Sequence, residues 1–174
     1  MIHNDTTPGA YPLTRSAVLL GIALVLASIS QAQAAEEAAG PVLDFRGTIS
    51  GEPLDFNDGK GPDTPAVQKF MRTGKNPYND QPDAINNGNI IFSTACAGCH
   101  GHHAEGKLGP ALGDDYWTYP GNALDKGLFE TIYGGGQGMM GPQRGLISRD
   151  EILQVMGWLR SIYHGDPKKA KWKK

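Results

Sequence analysis

Cysteine is nearly absent: Cys96 and Cys99 are the only two among 174 residues, so no disulfide framework staples this chain. Long apolar runs are as scarce. The one candidate, Ser16 to Ile29, is 14 residues long, short of the roughly 20 that a spanning helix needs, which excludes a membrane channel. Neither sign of charge dominates, with 16 basic and 18 acidic side chains for a formal net of −2. No basic stripe crosses the body, which excludes a nucleic-acid binder. Hydrophobic residues make up only 39% of the chain, and there are no internal repeats. The length leaves room for one domain of ordinary size, not for a multidomain enzyme.

Glycine is plentiful instead: 24 residues, about 14% of the chain, twice the usual share, which implies much turn and loop. Charge is also unevenly distributed. Five lysines (Lys168, Lys169, Lys171, Lys173, Lys174) crowd the last seven residues, whereas Ala35 to Pro167 holds 10 Lys/Arg against 17 Asp/Glu, a net of −7. The body is therefore acidic and is steered toward a basic partner surface. The lysine run reads as a solvated chain end.

Arg15, the apolar run and the small residues Ala32 and Ala34 form the pattern of a cleavable secretory signal, with cleavage after Ala34 or one residue later. A retained anchor is the alternative. Export implies an oxidising periplasm, and no stable membrane span after cleavage. The expected organisation is a signal peptide over 1–34, an N-terminal extension over 35–83, a helical domain over 84–165 and a basic tail over 166–174. In the extension, GTISGEPLDF suggests one short hairpin around Gly51 with Ile49, Leu54 and Phe56 turned inward. Thr64-Pro65 opens a helix that ends at Gly74 and buries Val67, Phe70 and Met71. A second helix runs from Pro82 to Ala95 with Gly88, Ile91, Phe92 and Ala95 on one face, and a short one starts near Leu128. The last begins at Ser148, where SRDE is a capping box, and turns Ile152, Val155, Met156 and Leu159 to one side.

The chemistry sits in Cys96-Ala97-Gly98-Cys99-His100. C-x-x-C-H is the attachment signature of c-type haem: two thiols one helical turn apart reach the two vinyl groups of one porphyrin, and the next residue brings its imidazole to the iron. A thioredoxin-like dithiol needs a strand before it, whereas here a helical pattern precedes. A zinc site needs a further paired group, which His102 and His103 do not supply convincingly. A disulfide across two residues would be strained and leaves His100 unexplained. His102, His103 and His164 read as surface histidines.

With Gly88 and Phe92 standing eight and four residues before Cys96, the pattern G-x-x-x-F-x-x-x-C-x-x-C-H resembles class I cytochromes c. The resemblance implies an all-α fold in which this helix crosses the C-terminal one, glycine allowing close approach and Phe92 packing near Trp158. Gly109-Pro110-x-Leu112 resembles that family's loop whose proline carbonyl accepts a hydrogen bond from the axial histidine, which implies the same for Pro110 and His100. The sixth ligand is expected from the glycine-rich GGGQGMMGPQRG: Met140 is favoured, since Gly141-Pro142 follows it, and Met139 is the alternative. Trp117 and Tyr119 suit the porphyrin edge and a propionate, or serve only to pack a loop. Lys107, Arg144 and Arg149 are candidate propionate partners that spacing alone does not rank.

Three longer segments, DTPAVQKFMRTGKNPYN, CAGCHGHHAEGKLGPALGDDYWTYPGN and GLFETIYGGGQGMMGPQ, are similar to the cytochrome cL family over roughly Gly47 to Tyr163. That resemblance implies one covalently bound haem c, Met140 as the sixth ligand and an extension packed around the haem. It also implies a pyrroloquinoline-quinone (PQQ)-dependent methanol dehydrogenase as electron donor, met through carboxylates, and a smaller cytochrome c or an oxidase as acceptor. Some members bind calcium, for which Asp114 and Asp115 are candidate donors without forming a site we expect to be filled. The lysine run in place of a longer tail, and Gln143 where some members carry histidine, fit carriers for lanthanide-dependent dehydrogenases, so the donor stays open between the calcium and lanthanide types. The competing functions are a carrier for an unrelated periplasmic dehydrogenase and a peroxidase- or sensor-type haem protein with an open sixth site.

Overall fold

Thr64 caps the first helix as its sequence requires. In this computed structural model, which describes residues 40–57 and 59–174, the Thr64 hydroxyl accepts from Val67 N–H, and α1 (Pro65–Thr73) closes on Gly74 in the left-handed conformation. Val67, Phe70 and Met71 are buried. The signal reading for residues 1–34, with its cleavage point, lies outside the described residues. Among those described, no helix is long and apolar enough to cross a membrane.

Four further helices follow: α2 (Pro82–Ala95), the single turn α3 (Ala97–His100), α4 (Asp125–Gly134) and α5 (Arg149–Ser161), with a 3-10 turn over Pro120–Ala123 before α4. The capping box of α5 is complete: Ser148 Oγ accepts from Glu151 N–H, and the Glu151 carboxylate accepts from Ser148 N–H at 2.7 Å. The expected pairing of α2 with α5 is made at Gly88. A Cβ there would collide with the Gln154 carbonyl and lie 3.0 Å from Val155 N, so only glycine lets the two backbones come this close. One turn on, Phe92 packs on Trp158 with ring centroids 4.4 Å apart. Both are buried, Phe92 completely.

The extension joins this core rather than lying over it. Phe45, Val67, Phe70 and Met71 belong to the same buried cluster as Phe92, Phe129 and Leu159. Phe45 sits 5.6 Å from both Phe70 and Phe129, and Phe56 sits 5.0 Å from Tyr133. The expected hairpin is reduced to a single antiparallel bridge between Arg46 and Pro53. Alternation of faces needs two extended strands, and here residues 48–50 form the turn itself, so Ile49 ends 57% exposed while Leu54 and Phe56 do pack inward. Phe45, not Ile49, is the buried anchor.

Two further expectations change. α4 begins at Asp125, three residues before Leu128, because the Asp125 carboxylate in its first turn accepts from Asn76 N–H, Asn79 Nδ2 and Arg160 Nε, and a negative charge favours a helix start. The lysine-rich tail is not a loose solvated end. It folds into 3-10 turns over Pro167–Lys169 and Lys171–Lys173, buries Ala170 and Trp172, and pairs Lys169 with Asp115 at 2.9 Å. A chain end stays solvated only if it has nothing apolar to bury, and Trp172 supplies that anchor.

Candidate haem centre

Cys96 is where α2 hands over to α3. Its N–H donates to Phe92 O, while its own carbonyl accepts from Cys99 N–H at 3.1 Å and His100 N–H at 3.0 Å. This single turn sets the two sulfurs on one wall of a cavity and turns the His100 ring into it. Both thiols are unoxidised, Cys96 half-buried and Cys99 exposed. Burial, with Cys99 beside it, pushes the Cys96 thiol up to about 11. Redox exchange needs a thiolate, which such a thiol does not supply near neutral pH. Cys96 is therefore poorly suited to act as the attacking thiol of a redox pair.

His100 is 8% exposed, and its Nδ1 lies 2.9 Å from Pro110 O. A carbonyl can only accept, so Nδ1 carries the proton and Nε2 keeps its lone pair for a metal. The loop that provides this carbonyl is stitched down by its own backbone. Gly109 N–H donates to Cys99 O, Gly106 N–H to His100 O and Leu112 N–H to Ala104 O, all at 2.8 to 2.9 Å. Gly109 lies flat against the imidazole; a Cβ there would sit 2.6 Å from Cε1 and 2.9 Å from Nδ1.

Opposite, the glycine-rich segment after α4 separates its two methionines. Met140 is half-buried and packs on the core, whereas Met139 is 80% exposed. Gly136 N–H donates to Met140 O at 2.9 Å, and Gln137 N–H donates to the Tyr119 hydroxyl at 2.7 Å. The Met140 sulfur and Tyr119 hydroxyl flank the same point, 3.5 and 3.4 Å from where a Gly136 Cβ would stand.

Cys96, Cys99, His100, Pro110, Trp117, Tyr119, Met139 and Met140 all line this one cavity of about 580 Å³, within the usual 300–1,000 Å³ of cofactor sites. Lys107, Arg144 and Arg149 do not line it. Arg149 instead pairs with Asp63 at 2.9 Å and lies over the Phe56 ring. His102, His103 and His164 are exposed on the surface. Asp115 is taken by Lys169, and Asp114 accepts from Tyr116 N–H. Among the described residues, no group of three His, Cys, Asp or Glu side chains gathers as a metal site.

Two residues on the Trp117 side escape sequence reasoning. Asn122 lines the cavity, its Oδ1 accepting from Thr131. Behind it, Arg160 donates from Nη2 to Asn122 O at 2.9 Å and leaves Nη1 buried without a partner. A cue existed for Arg160: it follows Ile152 and Met156 at steps of four, so the core-facing stripe of α5 ends on a guanidinium. A cavity lined by two free thiols, a firmly held imidazole and a half-buried methionine fits haem.

Residues 83–159 match the family described as cytochrome c oxidase, cbb3-type, subunit III. Cytochrome c-L of Methylorubrum extorquens AM1 is 51% identical over 158 residues, covering 88% of this chain and 79% of that protein. The crystal structure of cytochrome cL from the marine methylotroph Methylophaga aminisulfidivorans superposes with a TM-score of 0.73 at 60% identity, covering 75% of this chain and 87% of that one. For cytochrome cL of Hyphomicrobium denitrificans the values are 0.72, 46%, 76% and 80%. The chain belongs to the cytochrome c-L family, as an all-α class I cytochrome c with one covalently bound haem c that transfers electrons rather than catalysing a reaction.

Proposed function

We propose that this protein works in the periplasm, taking single electrons from a PQQ-dependent methanol dehydrogenase, of calcium- or lanthanide-dependent type, and passing them to a downstream cytochrome c or an oxidase. In this reading Cys96 and Cys99 hold the haem through thioethers and His100 and Met140 are its axial ligands. Within the expected extension 35–83, the described part from residue 40 acts with the haem domain 84–165 and the tail 166–174 as one folded unit around it.

The observation that supports the reading is that His100 and Met140 line one cavity, with Met140 half-buried and Met139 exposed. When bound, the haem supplies a one-electron Fe(II)/Fe(III) couple, whose potential a thioether opposite imidazole raises. The chain's own part is restraint. Pro110 O and the Gly109 backbone hold the His100 ring, and the α2–α5 crossing fixes the floor beneath it. Met140 would then fill the sixth position and leave no vacancy for peroxide or gas, so this reading takes the carrier over the sensor-type alternative.

The acidic body, net −7 from Ala35 to Pro167, favours a donor with a basic docking face. Reduction rates with purified calcium- and lanthanide-dependent methanol dehydrogenases, read over a salt series, test this. Fast reduction by one of them that slows as salt rises supports the proposal. Reduction by neither removes the named donor, and a salt-independent rate removes charge-steered docking.

A further inference from the structure

The last turns of the chain reverse the charge of the body they sit on. Ala35 to Pro167 carries a net of −7, whereas five of the seven residues from Lys168 to Lys174 are lysine. Lys169 is spent on Asp115 at 2.9 Å; Lys168, Lys171, Lys173 and Lys174 are exposed and enter no ion pair among the described residues. These four charges do not ride on a loose end. Ala170 and Trp172 are buried between them, Trp172 with the Tyr163 ring edge-on at 4.7 Å and the Arg160 guanidinium 4.1 Å away. Asp166 accepts from Lys168 N–H at 2.9 Å and fixes the first turn. The platform so formed is pinned to the loop that walls the cavity. His164 N–H donates to Gly113 O at 2.9 Å, Lys169 holds Asp115, and a Cβ at Gly165 would lie 2.6 Å from Asp115 N. That same loop supplies Leu112, Tyr116 and Trp117 to the cavity.

A basic donor is repelled by these lysines, so it docks elsewhere. An anionic lipid surface attracts a lysine cluster whether or not that cluster is folded. Lasting attachment also needs an apolar insertion, and the tryptophan here is turned inward. A protein that exchanges electrons with the cavity's occupant has a different need: charges fixed in register beside the cavity wall. Trp172 and the contacts to Gly113 and Asp115 provide that. We propose that Lys168, Lys171, Lys173 and Lys174 form a second docking surface, for an acidic protein that takes the electron from the haem. This deepens the proposed function and rests on it for the direction of transfer. The donor meets the acidic body and the acceptor the basic platform, so the two partners are told apart by charge.

The test uses the purified, reduced holoprotein and two small oxidants of opposite charge, ferricyanide and tris(phenanthroline)cobalt(III), the anion standing in for the acidic partner. At low salt, Lys171→Glu should slow oxidation by ferricyanide about threefold, and reversal of all four free lysines about tenfold, while the cobalt cation reacts faster. In about 1 M salt these differences should vanish. Lys75→Glu, at an exposed lysine beyond α1, changes the net charge equally. If it slows ferricyanide as much as Lys171→Glu does, only net charge is felt and the docking surface is overturned. Binding is read without electron transfer by hexacyanocobaltate(III), a redox-inert anion of the same charge as ferricyanide. Amide resonances of 166–174 and 113–115 should shift with it in the wild type and stay put in the fourfold variant; shifts centred elsewhere overturn the proposal. Co-sedimentation with phosphatidylglycerol/phosphatidylethanolamine vesicles, together with oxidation rates indifferent to the tail, makes a membrane the occupant and overturns it too. Reduction by neither methanol dehydrogenase removes the named donor only, since the oxidants and the inert anion judge this surface without it.

Discussion

The two sides of the cavity are built by different means. On the His100 side, Cys96 to Leu112 are bound by a dense run of local backbone hydrogen bonds, and Gly109 touches the imidazole so closely that a methyl group has no room. On the Met140 side, Gly135 to Gln143 are tied by a similar share of such bonds and turn through left-handed glycines at 135 and 138. A Cβ at Gly138 would meet nothing within 4 Å. The first side is a mould and the second a cover with room to spare at Gly138. Under the proposed function the mould would carry the histidine ligand and the cover would offer one of two adjacent methionines.

The most direct comparison tests the mould. Gly109→Ala should displace the His100 ring or its loop, costing about 3 kcal/mol by overpacking, with a broadened or shifted haem spectrum in the purified protein. Gly138→Ala should cost only about 1 kcal/mol, the price of a left-handed alanine, and leave the spectrum as it is. Equal melting temperatures for the two would erase the contrast between the sides. On the cover, Met140→Ala should abolish the red sulfur-to-iron band while Met139→Ala preserves it. The reverse result would mean that the exposed methionine swings in when haem binds. Beneath both, Phe92→Ala removes a wholly buried ring packed at a tilt against Trp158. A loss of about 3–5 kcal/mol in denaturant unfolding is expected, with haem retained.

The mould was legible because its determinants are consecutive. Cys96 to His100 fix a turn by spacing, Gly88 and Phe92 precede at whole helical turns, and Gly109-Pro110 follows within one loop, so local geometry decides everything. The helix caps at Thr64, Gly74 and Ser148 could be read for the same reason. The wall behind Trp117 could not be read in this way. It is assembled from Asn122, Asp125, Arg160 and Trp172, whose partnership exists only once the chain has returned on itself. The hairpin expectation failed on a similar point: alternation identifies a face only when a second strand exists to pair with it, and the extension spends those residues on a turn and on Phe45. The tail was misjudged by its lysines, because charge count outweighed one tryptophan whose partner, Arg160, lies on another element.

The smallest expected effect lies at the outer end of that tail. The Lys169 ammonium holds the Asp115 carboxyl below the usual carboxylate range, and Asp115 in turn raises Lys169. A carboxylate with a lowered folded-state pKa stabilises the fold above its unfolded pKa, near 3.9, and loses that contribution as pH falls through the lower, folded value. The contact is fully solvated, so salt should weaken it and its removal should hardly move the global melt. Limited proteolysis reads it better than melting does, since only the last turns need to open. Lys169→Ala should speed cleavage near Lys171 at neutral pH and low salt, and the difference from wild type should vanish in high salt or in strong acid. Trp172→Leu should speed the same cleavage at every pH and salt concentration. If the two variants behaved alike across the series, the tail would be held by charge after all, and its tie to the cavity wall would be lost.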